Sequence, residues 1–209
     1  MALARHGETV WHANNRYAGG SSDIDLTARG RQQAQALATW CRGYAPDAVI
    51  SSPVRRAVET ATPSALAAGV PLQVVDELRE VSFGIAEGHT IDELLAVDPA
   101  MVARFRADPV AHPFPGAEPP EDAADRAADA LRRVAQQYNG KKVLVVAHNT
   151  LLRLALCRLL DLPVARYRNI FPRLDNASIS EIDMRADQRN GTALLSLNVH
   201  LKGGFDGVH

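Results

Sequence analysis

Short apolar runs alternate with longer amphipathic stretches along the 209 residues of the chain. Six of these runs predict strands: residues 1–4, 47–51, 72–75, 142–147, 177–182 and 193–199. The run KVLVVA at 142–147 is apolar on both faces, which is typical of a central strand in a parallel sheet. The sequence therefore predicts a sheet with this run in its interior.

Between the strands, the chain carries the end signals of helices. Thr27 is suited to cap a helix that Gly43 ends, and Thr90 with Glu93 forms a capping box. Pro53 suits the first turn of a helix that ends near Gly69. Further helices are predicted at about 121–138 and 150–160. Alternating strands and helices predict an α/β fold with a mostly parallel sheet.

The length favours a single domain over residues 1–209. The segment 82–120 is less regular than the rest of the chain. Its last third, 108–120, holds five of the chain's twelve prolines and is predicted to be a long loop. We expect residues 82–120 to form a small cap or substrate-specificity insertion at one edge of the sheet.

Composition and charge exclude several classes of protein. Apolar residues make up 46% and charged residues 22% of the chain, with a formal net charge of −1, which argues against a nucleic-acid or membrane-surface protein. The most apolar stretch, 143–160, contains His148, Arg153 and Arg158 and is no membrane span. Cys41 and Cys157 lack the spacing of a zinc site. We expect a cytoplasmic protein without a bound metal.

Three predicted strands end in residues suited to binding an oxyanion. Arg5 and His6 follow the first strand, Arg55 and Arg56 follow the second, and His148 follows the central one. In an open parallel sheet, ligands bind beyond the carboxyl ends of the strands. Arginine forks bind phosphate oxygens and an imidazole can attack phosphorus. These ends therefore predict phosphoryl chemistry, with either Arg55 or Arg56 as a phosphate ligand on spacing alone.

Four segments also resemble the signatures of a known family. RHGET at 5–9, SSPVRRAVETA at 51–61, LREVSFGIAEG at 78–88 and VLVVAHN at 143–149 are similar to the motifs of the histidine phosphatase superfamily. The resemblance extends from residue 4 to about 183. It implies a phosphoglycerate mutase-like fold, a three-layer sandwich with helices on both sides of the sheet.

The resemblance implies a role for each catalytic residue. His6 would be the nucleophile that becomes phosphohistidine, and Arg5 and Arg56 would bind the transferring phosphoryl group, to which His148 would donate a hydrogen bond. Glu80 would protonate the leaving oxygen and then activate water. The family pattern selects Arg56 over Arg55, and it implies no cofactor.

Further residues are expected to contact the substrate: His12, Arg16, Gly19 and Asn149. Relatives usually have Asn at the position of His12, so Asn14 or Asn15 could take over its role if the loop shifts. The outer pocket is expected to be lined by Arg16, Tyr17 and part of the segment 82–120, including Arg104, Phe105, Arg106, His112 and Phe114.

The function that follows is a metal-independent phosphomonoesterase acting on a small phosphorylated metabolite, such as a sugar phosphate. A cofactor-dependent phosphoglycerate mutase is the alternative, although the segment Glu80–Gly84 and the short chain favour hydrolysis. An inactive scaffold that binds phosphorylated ligands would be expected to lack His6, Arg56 or Glu80. A homodimer is common in the family.

Overall fold

The computed structural model describes residues 1–184 and 191–201. Within these residues, six strands form one sheet in the order β3-β2-β4-β1-β5-β6. The strands are β1 (Ala2–Arg5), β2 (Ala48–Ser51), β3 (Leu72–Val74), β4 (Val143–Ala147), β5 (Ile179–Met184) and β6 (Thr192–Val199). Three pairings are parallel, and the two that involve β5 are antiparallel. The predicted mostly parallel sheet is confirmed, with β4 inside it.

Helices connect the strands. In the described ranges they are α1 (Val10–Ala13), α2 (Ala28–Tyr44), α3 (Arg55–Ala68), α4 (Ile91–Val97), α5 (Pro99–Ala107), α6 (Pro120–Gln137), α7 (Asn149–Leu159) and α8 (Tyr167–Ile170). Thr27 caps α2, Gly69 follows α3 in the left-handed conformation, and Thr90 and Glu93 form the predicted capping box of α4. No helix of the described residues is long and apolar enough to cross a bilayer.

Two predicted helix ends are wrong. Helix α2 continues through Gly43 to Tyr44. The next residue, Ala45, caps the helix in the left-handed conformation, with a φ of 51°. Pro53 lies ahead of α3, whose first residue is Arg55. The sequence analysis also did not predict α1, α5 and α8.

The sheet is covered on both faces, which explains the all-apolar strand β4. Val143, Val145 and Ala147 face a large core that includes residues of α6 and α7. Leu144 and Val146 face the opposite core, which includes residues of α2 and α3. Side chains that alternate along a strand supply both cores, so the predicted three-layer sandwich is confirmed.

A third apolar cluster lies within the segment 82–120, which we call the cap segment. Phe105 and Phe114 stack at its centre with ring centroids 3.9 Å apart. Short bridges join Arg16 to Thr90 and Tyr17 to residue 87, so the cap segment is attached to the loop that follows β1.

Two glycines allow the loop after β1 to approach helix α2. A Cβ added to Gly7 would lie 2.6 Å from the carbonyl oxygen of Gly30, and one added to Gly30 would lie 2.1 Å from that of Glu8. Both contacts are with backbone atoms, which cannot rotate away. The position of His6, one residue before Gly7, therefore depends on this close packing.

We predict that Gly30→Ala lowers the free energy of unfolding by about 1–3 kcal/mol, because the methyl group overlaps backbone. Gly43→Ala on the same helix is the matched control, since no atom lies within 4 Å of its added Cβ. It should be stabilising by about 0.5–1 kcal/mol, because glycine disfavours a helix. Urea unfolding followed by circular dichroism measures both. A Gly30→Ala protein as stable as the parent would contradict the packing argument.

Candidate active site

The carboxyl ends of β2, β4 and β1 lie side by side and level with one another. Arg5 is opposite Ala147 in one parallel pairing, and Ser51 is opposite Val146 in the other. The His6 N–H extends the first ladder by donating to the Ala147 carbonyl at 3.0 Å. The three predicted strand ends therefore meet at one edge of the sheet.

His6 is buried, and its ring has a defined hydrogen-bond pattern. Its Nδ1 lies 2.7 Å from the Gly7 carbonyl, which can only accept a hydrogen bond, so Nδ1 carries the proton. Nε2 is then unprotonated and accepts a hydrogen bond from Arg56 Nε at 3.3 Å. An imidazole held in this tautomer presents a lone pair that can attack an electrophile.

Arg56 is fully buried, and backbone carbonyls hold its guanidinium group. Nη1 donates to the carbonyl of Ser22 at 2.9 Å, and Nη2 donates to those of Ala18 and Gly19 at 3.2 and 3.1 Å. Arg55 is exposed and pairs with carboxylates away from His6. The geometry thus places Arg56, and not Arg55, beside the histidine.

His148 is fully buried, and its ring centroid lies 5.2 Å from that of His6. Its Nε2 lies 2.7 Å from Ser52 Oγ, which also accepts the Val54 N–H and has no other acceptor for its own hydroxyl proton among the described residues. This pattern favours a ring proton on Nδ1. Nδ1 has no partner in the part of the chain that the structure describes.

His12 also lies near His6, with ring centroids 4.9 Å apart, and a hydroxyl group contacts its ring as Ser52 contacts that of His148. Its Nδ1 is 2.6 Å from Thr9 Oγ1, and that hydroxyl accepts the backbone N–H of His12. This hydroxyl has no other acceptor for its own proton among the described residues, so it donates to Nδ1 and the ring proton is expected on Nε2. Arg5 Nε is also buried without a partner among the described residues, while Arg5 Nη1 donates to the Leu174 carbonyl at 2.7 Å.

Glu80 is buried at the N-terminus of α7. Its carboxyl oxygens accept backbone N–H groups from Val81 at 3.0 Å, Leu151 at 2.9 Å and Thr150 at 3.3 Å. Burial raises the pKa of Glu80, and these hydrogen bonds and the charge of Arg56 oppose the rise. The environment therefore favours a carboxyl group that is protonated more readily than an ordinary glutamate.

The three histidines near the arginines are neutral at neutral pH. Burial, followed by the charge of Arg56, lowers the pKa of His6 and of His148 well below the ordinary value. Burial and the charges of Arg5 and Arg56 lower the pKa of His12 to about 2. Burial lowers the pKa of Arg5 only to about 10, so its charge remains. The result is a positive niche with unprotonated imidazoles, which is suited to an anion.

The other residues predicted to bind substrate already have protein partners. Gly19 donates its N–H to Ser22 Oγ, and its carbonyl accepts from Arg56. Arg16 forms a two-point ion pair with Glu93, and Asn149 Oδ1 accepts the backbone N–H of Leu174. In this geometry Gly19 and Asn149 hold loops in place around the niche.

An open cleft of about 730 Å³ adjoins the niche, and we call it the outer cleft. Its lining residues are Arg5, His12, Asn14, Asn15, Arg16, Tyr17, Thr90, Ile91, Asp92, Arg173, Asp175 and Asn176. Arg16 and Tyr17 line it as predicted. The predicted contribution of Arg104, Phe105, Arg106, His112 and Phe114 is wrong; Phe105 and Phe114 are buried in the cap segment's own core.

Sequence reasoning missed the part of the outer cleft that comes from residues 173–176. The sequence did predict the strand 177–182, but it did not show that this strand, β5, runs antiparallel to β1. The residues before such a strand lie at the edge where the parallel strands end. Asn176 donates its side-chain N–H to the His6 carbonyl at 3.0 Å, which fixes this segment beside His6.

Comparison with known proteins places the chain in a family. The model of the histidine phosphatase superfamily (branch 1) matches residues 1–198. The probable phosphoglycerate mutase GpmB of Salmonella paratyphi C is 33% identical over 186 residues, 89% of this chain and 85% of that protein. The chain therefore belongs to the histidine phosphatase superfamily.

Solved structures of phosphatases have the same fold. Mycobacterial glucosyl-3-phosphoglycerate phosphatase in complex with VO3 has a TM-score of 0.86 and 27% identity, over 96% of this chain and 99% of that one. Phosphoserine phosphatase from Entamoeba histolytica, in complex with 3-phosphoglyceric acid, has a TM-score of 0.82 and 28% identity, over 95% and 96%. These likenesses confirm the prediction of an enzyme of the phosphoric monoester hydrolase type.

We predict that the protein loses stability as the pH falls from 7.5 to 5.5. His6 and His148 are neutral in the folded state but take up protons in the unfolded chain below a pKa of about 6.5, and each contributes up to about 1.4 kcal/mol per pH unit. Glu80 acts in the opposite sense, because its raised pKa makes the folded state bind a proton first. The histidines outnumber it, so the net effect on acidification is destabilising.

Urea unfolding at several pH values measures this dependence. His148→Gln, which cannot take up a proton, should lose about 1.4 kcal/mol less stability than the parent over the two pH units from 7.5 to 5.5. A stability that stays constant or rises on acidification would show that these histidines are already protonated in the folded protein.

Proposed function

We propose that the chain is a metal-independent phosphomonoesterase that acts through a phosphohistidine on a small phosphorylated metabolite. The observation that carries the proposal is the tautomer of His6, whose unprotonated Nε2 lies beside the buried Arg56 guanidinium. A phosphomonoester brought to this position meets a nucleophile and a positive charge together.

In the first step, His6 Nε2 forms a bond to phosphorus as the ester P–O bond breaks. The Glu80 carboxyl group gives its proton to the leaving oxygen. A phosphate dianion nearby raises the pKa of Glu80 further, so its binding favours the protonated acid. In the second step, water attacks phosphorus, Glu80 takes a proton from that water, and the P–N bond breaks to release phosphate and neutral His6.

The phosphoryl oxygens would be bound by N–H groups that have no other partner among the described residues. Arg5 Nε and His148 Nδ1 are buried donors of this kind, and His12 Nε2 completes the set from the outer side. Such donors stabilise the charge that spreads over the phosphoryl oxygens in the transition state. They supply the stabilisation that a metal ion supplies in other phosphatases.

A phosphoglycerate mutase is the second candidate, because the relative from Salmonella paratyphi C carries that name. The same phosphohistidine would then return the phosphoryl group to another position of the substrate. The phosphatase names of the solved structures support hydrolysis instead. A cytoplasmic location, a homodimer and the role of the cap segment stay predictions from the sequence.

We predict that His6→Ala abolishes the release of phosphate from p-nitrophenyl phosphate, because no other group can form the covalent intermediate. The parent protein should be active in the presence of a chelator. Assays of phosphate release with and without the chelator, and of 3-phosphoglycerate isomerisation with bisphosphoglycerate added, measure these points. Turnover by His6→Ala at the parent rate would overturn the proposal, and efficient isomerisation with little phosphate release would favour the mutase.

We predict that His12→Ala lowers kcat/KM at least about tenfold, because it removes a charge-facing hydrogen bond worth about 1.5–3 kcal/mol. His12→Asn should keep most of the activity, since its amide N–H can donate to the same oxygen and relatives usually have Asn there. Steady-state kinetics with p-nitrophenyl phosphate compares the two variants. Equal loss in both would show that the imidazole does more than donate this hydrogen bond.

A further inference from the structure

We propose that the outer cleft selects phosphate esters whose leaving group carries hydroxyl groups but no second anionic group, and that Glu93 imposes this choice by occupying Arg16. The inference rests on the proposed function, since the leaving group of the ester would lie in the outer cleft. It narrows the substrate class from phosphorylated metabolites in general to esters of neutral polyols and sugars.

Arg16 lines the outer cleft and has a guanidinium group that could bind a carboxylate, but this group is already occupied. Nη1 and Nη2 each donate to one carboxylate oxygen of Glu93 at 2.9 Å, and Nη1 also donates to the Gly88 carbonyl at 2.5 Å. A two-point pair of this kind uses the guanidinium edge that would otherwise bind an incoming carboxylate or phosphate.

Glu93 is itself held in place by helix α4. Its Oε2 accepts the backbone N–H of Thr90 at 3.0 Å, as the third residue of the capping box. The hydrogen bond from Arg16, and then that from Thr90, lower the pKa of Glu93, so the carboxylate is charged at neutral pH. The cap segment therefore neutralises Arg16 with a carboxylate that is also hydrogen-bonded to the start of its own helix.

Arg173, on the opposite side of the outer cleft, is also paired. Its Nε lies 3.1 Å from Asp175 Oδ1. The other carboxylate oxygen accepts from Asn198 Nδ2 at 2.9 Å and lies 2.7 Å from His200 Nε2. Burial alone would raise the pKa of Asp175, but these contacts and the charge of Arg173 lower it below the ordinary value.

Asp92 adds a further carboxylate to the outer cleft and makes the net charge beyond the phosphoryl niche negative. Arg5 also lines the outer cleft, but it would bind the phosphoryl group. Among the other described residues, the guanidinium groups of Arg16 and Arg173 stand against the carboxylates of Asp92, Asp175 and Glu93, the last of which pairs with Arg16 from outside the lining, so one negative charge is in excess. A second anionic group on the substrate is repelled by that excess. It finds the guanidinium edge of Arg16 occupied by Glu93, and the charge of Arg173 offset by Asp175.

Hydroxyl groups, by contrast, suit the remaining lining residues. Asn14 and Asn176 each use the side-chain nitrogen within the protein, which leaves the amide oxygen to accept hydrogen bonds. Asn15 and Asp92 offer further polar atoms in the same cleft. A polyol or sugar can donate to carboxylate and amide oxygens, whereas a carboxylate can only accept.

Glycerol 3-phosphate and 3-phosphoglycerate form a matched pair of substrates, because a hydroxymethyl group in one replaces a carboxylate in the other. We expect the protein to hydrolyse glycerol 3-phosphate with a kcat/KM at least about fivefold higher, as one excess charge at close range predicts. p-Nitrophenyl phosphate reports separately on phosphoryl transfer.

Glu93→Gln tests the mechanism of selection. Glutamine preserves the capping box but removes the charge that occupies Arg16, so the preference for glycerol 3-phosphate should shrink about fivefold or reverse. Adding Arg16→Gln to Glu93→Gln should abolish that gain for 3-phosphoglycerate. Asp92→Asn, which keeps the pairs intact, should shrink the preference as well.

Glu77→Gln is the matched control, because Glu77 also pairs with an arginine, Arg133, at 2.6 Å but does not line the outer cleft. It should leave the preference unchanged. Equal or better hydrolysis of 3-phosphoglycerate by the parent protein, or an unchanged preference in Glu93→Gln, would overturn the inference while activity on p-nitrophenyl phosphate upheld the proposed function. Absence of that activity would instead overturn the proposed function.

Discussion

The site depends on the burial of one charge, the guanidinium group of Arg56. A charge in a protein interior costs several kcal/mol unless hydrogen bonds replace its water, and here three backbone carbonyls of residues 18–22 do so. The loop is in turn attached to the cap segment, because Glu87 accepts hydrogen bonds from the hydroxyl groups of Ser21 and Ser22. Arg56, the loop that follows β1 and the cap segment are therefore fixed by one connected set of contacts.

The chemistry of the niche follows from that buried charge. Burial, together with the charge of Arg56, lowers the pKa of His6 and keeps its ring neutral, and Arg56 donates to Nε2, the atom that would attack phosphorus. Arg5 Nε and His148 Nδ1 are left as buried donors without a described partner. Each such donor costs about 1–3 kcal/mol, and an arriving phosphoryl group removes that cost. Part of the affinity for an oxyanion would therefore come from hydrogen-bond donors that have no partner in the free protein.

The sequence could predict the niche because its residues directly follow strands. Buried strands can be recognised as apolar runs, and parallel strands bring their carboxyl ends together, so His6 and His148 could be placed beside one another and beside either Arg55 or Arg56. The family resemblance selected Arg56. Glu80 follows no parallel strand of this kind, and only the family resemblance identified it. Helix α5 and the burial of Phe105 and Phe114 were not predictable, since packing within the cap segment decides them. The left-handed Ala45 likewise follows from tertiary packing and not from the residue type.

The outer cleft shows why the identity of a leaving group is harder to infer from sequence than the reaction. Its walls come from loops far apart in the chain, at residues 14–16, 90–92 and 173–176. Whether Arg16 binds a ligand depends on Glu93, a residue whose place in a capping box gives no hint of that contact. The parallel strands fix the phosphoryl niche, while pairings between loops set the charge outside it. Substitutions in those loops can therefore change the leaving group that is accepted without altering the attack on phosphorus.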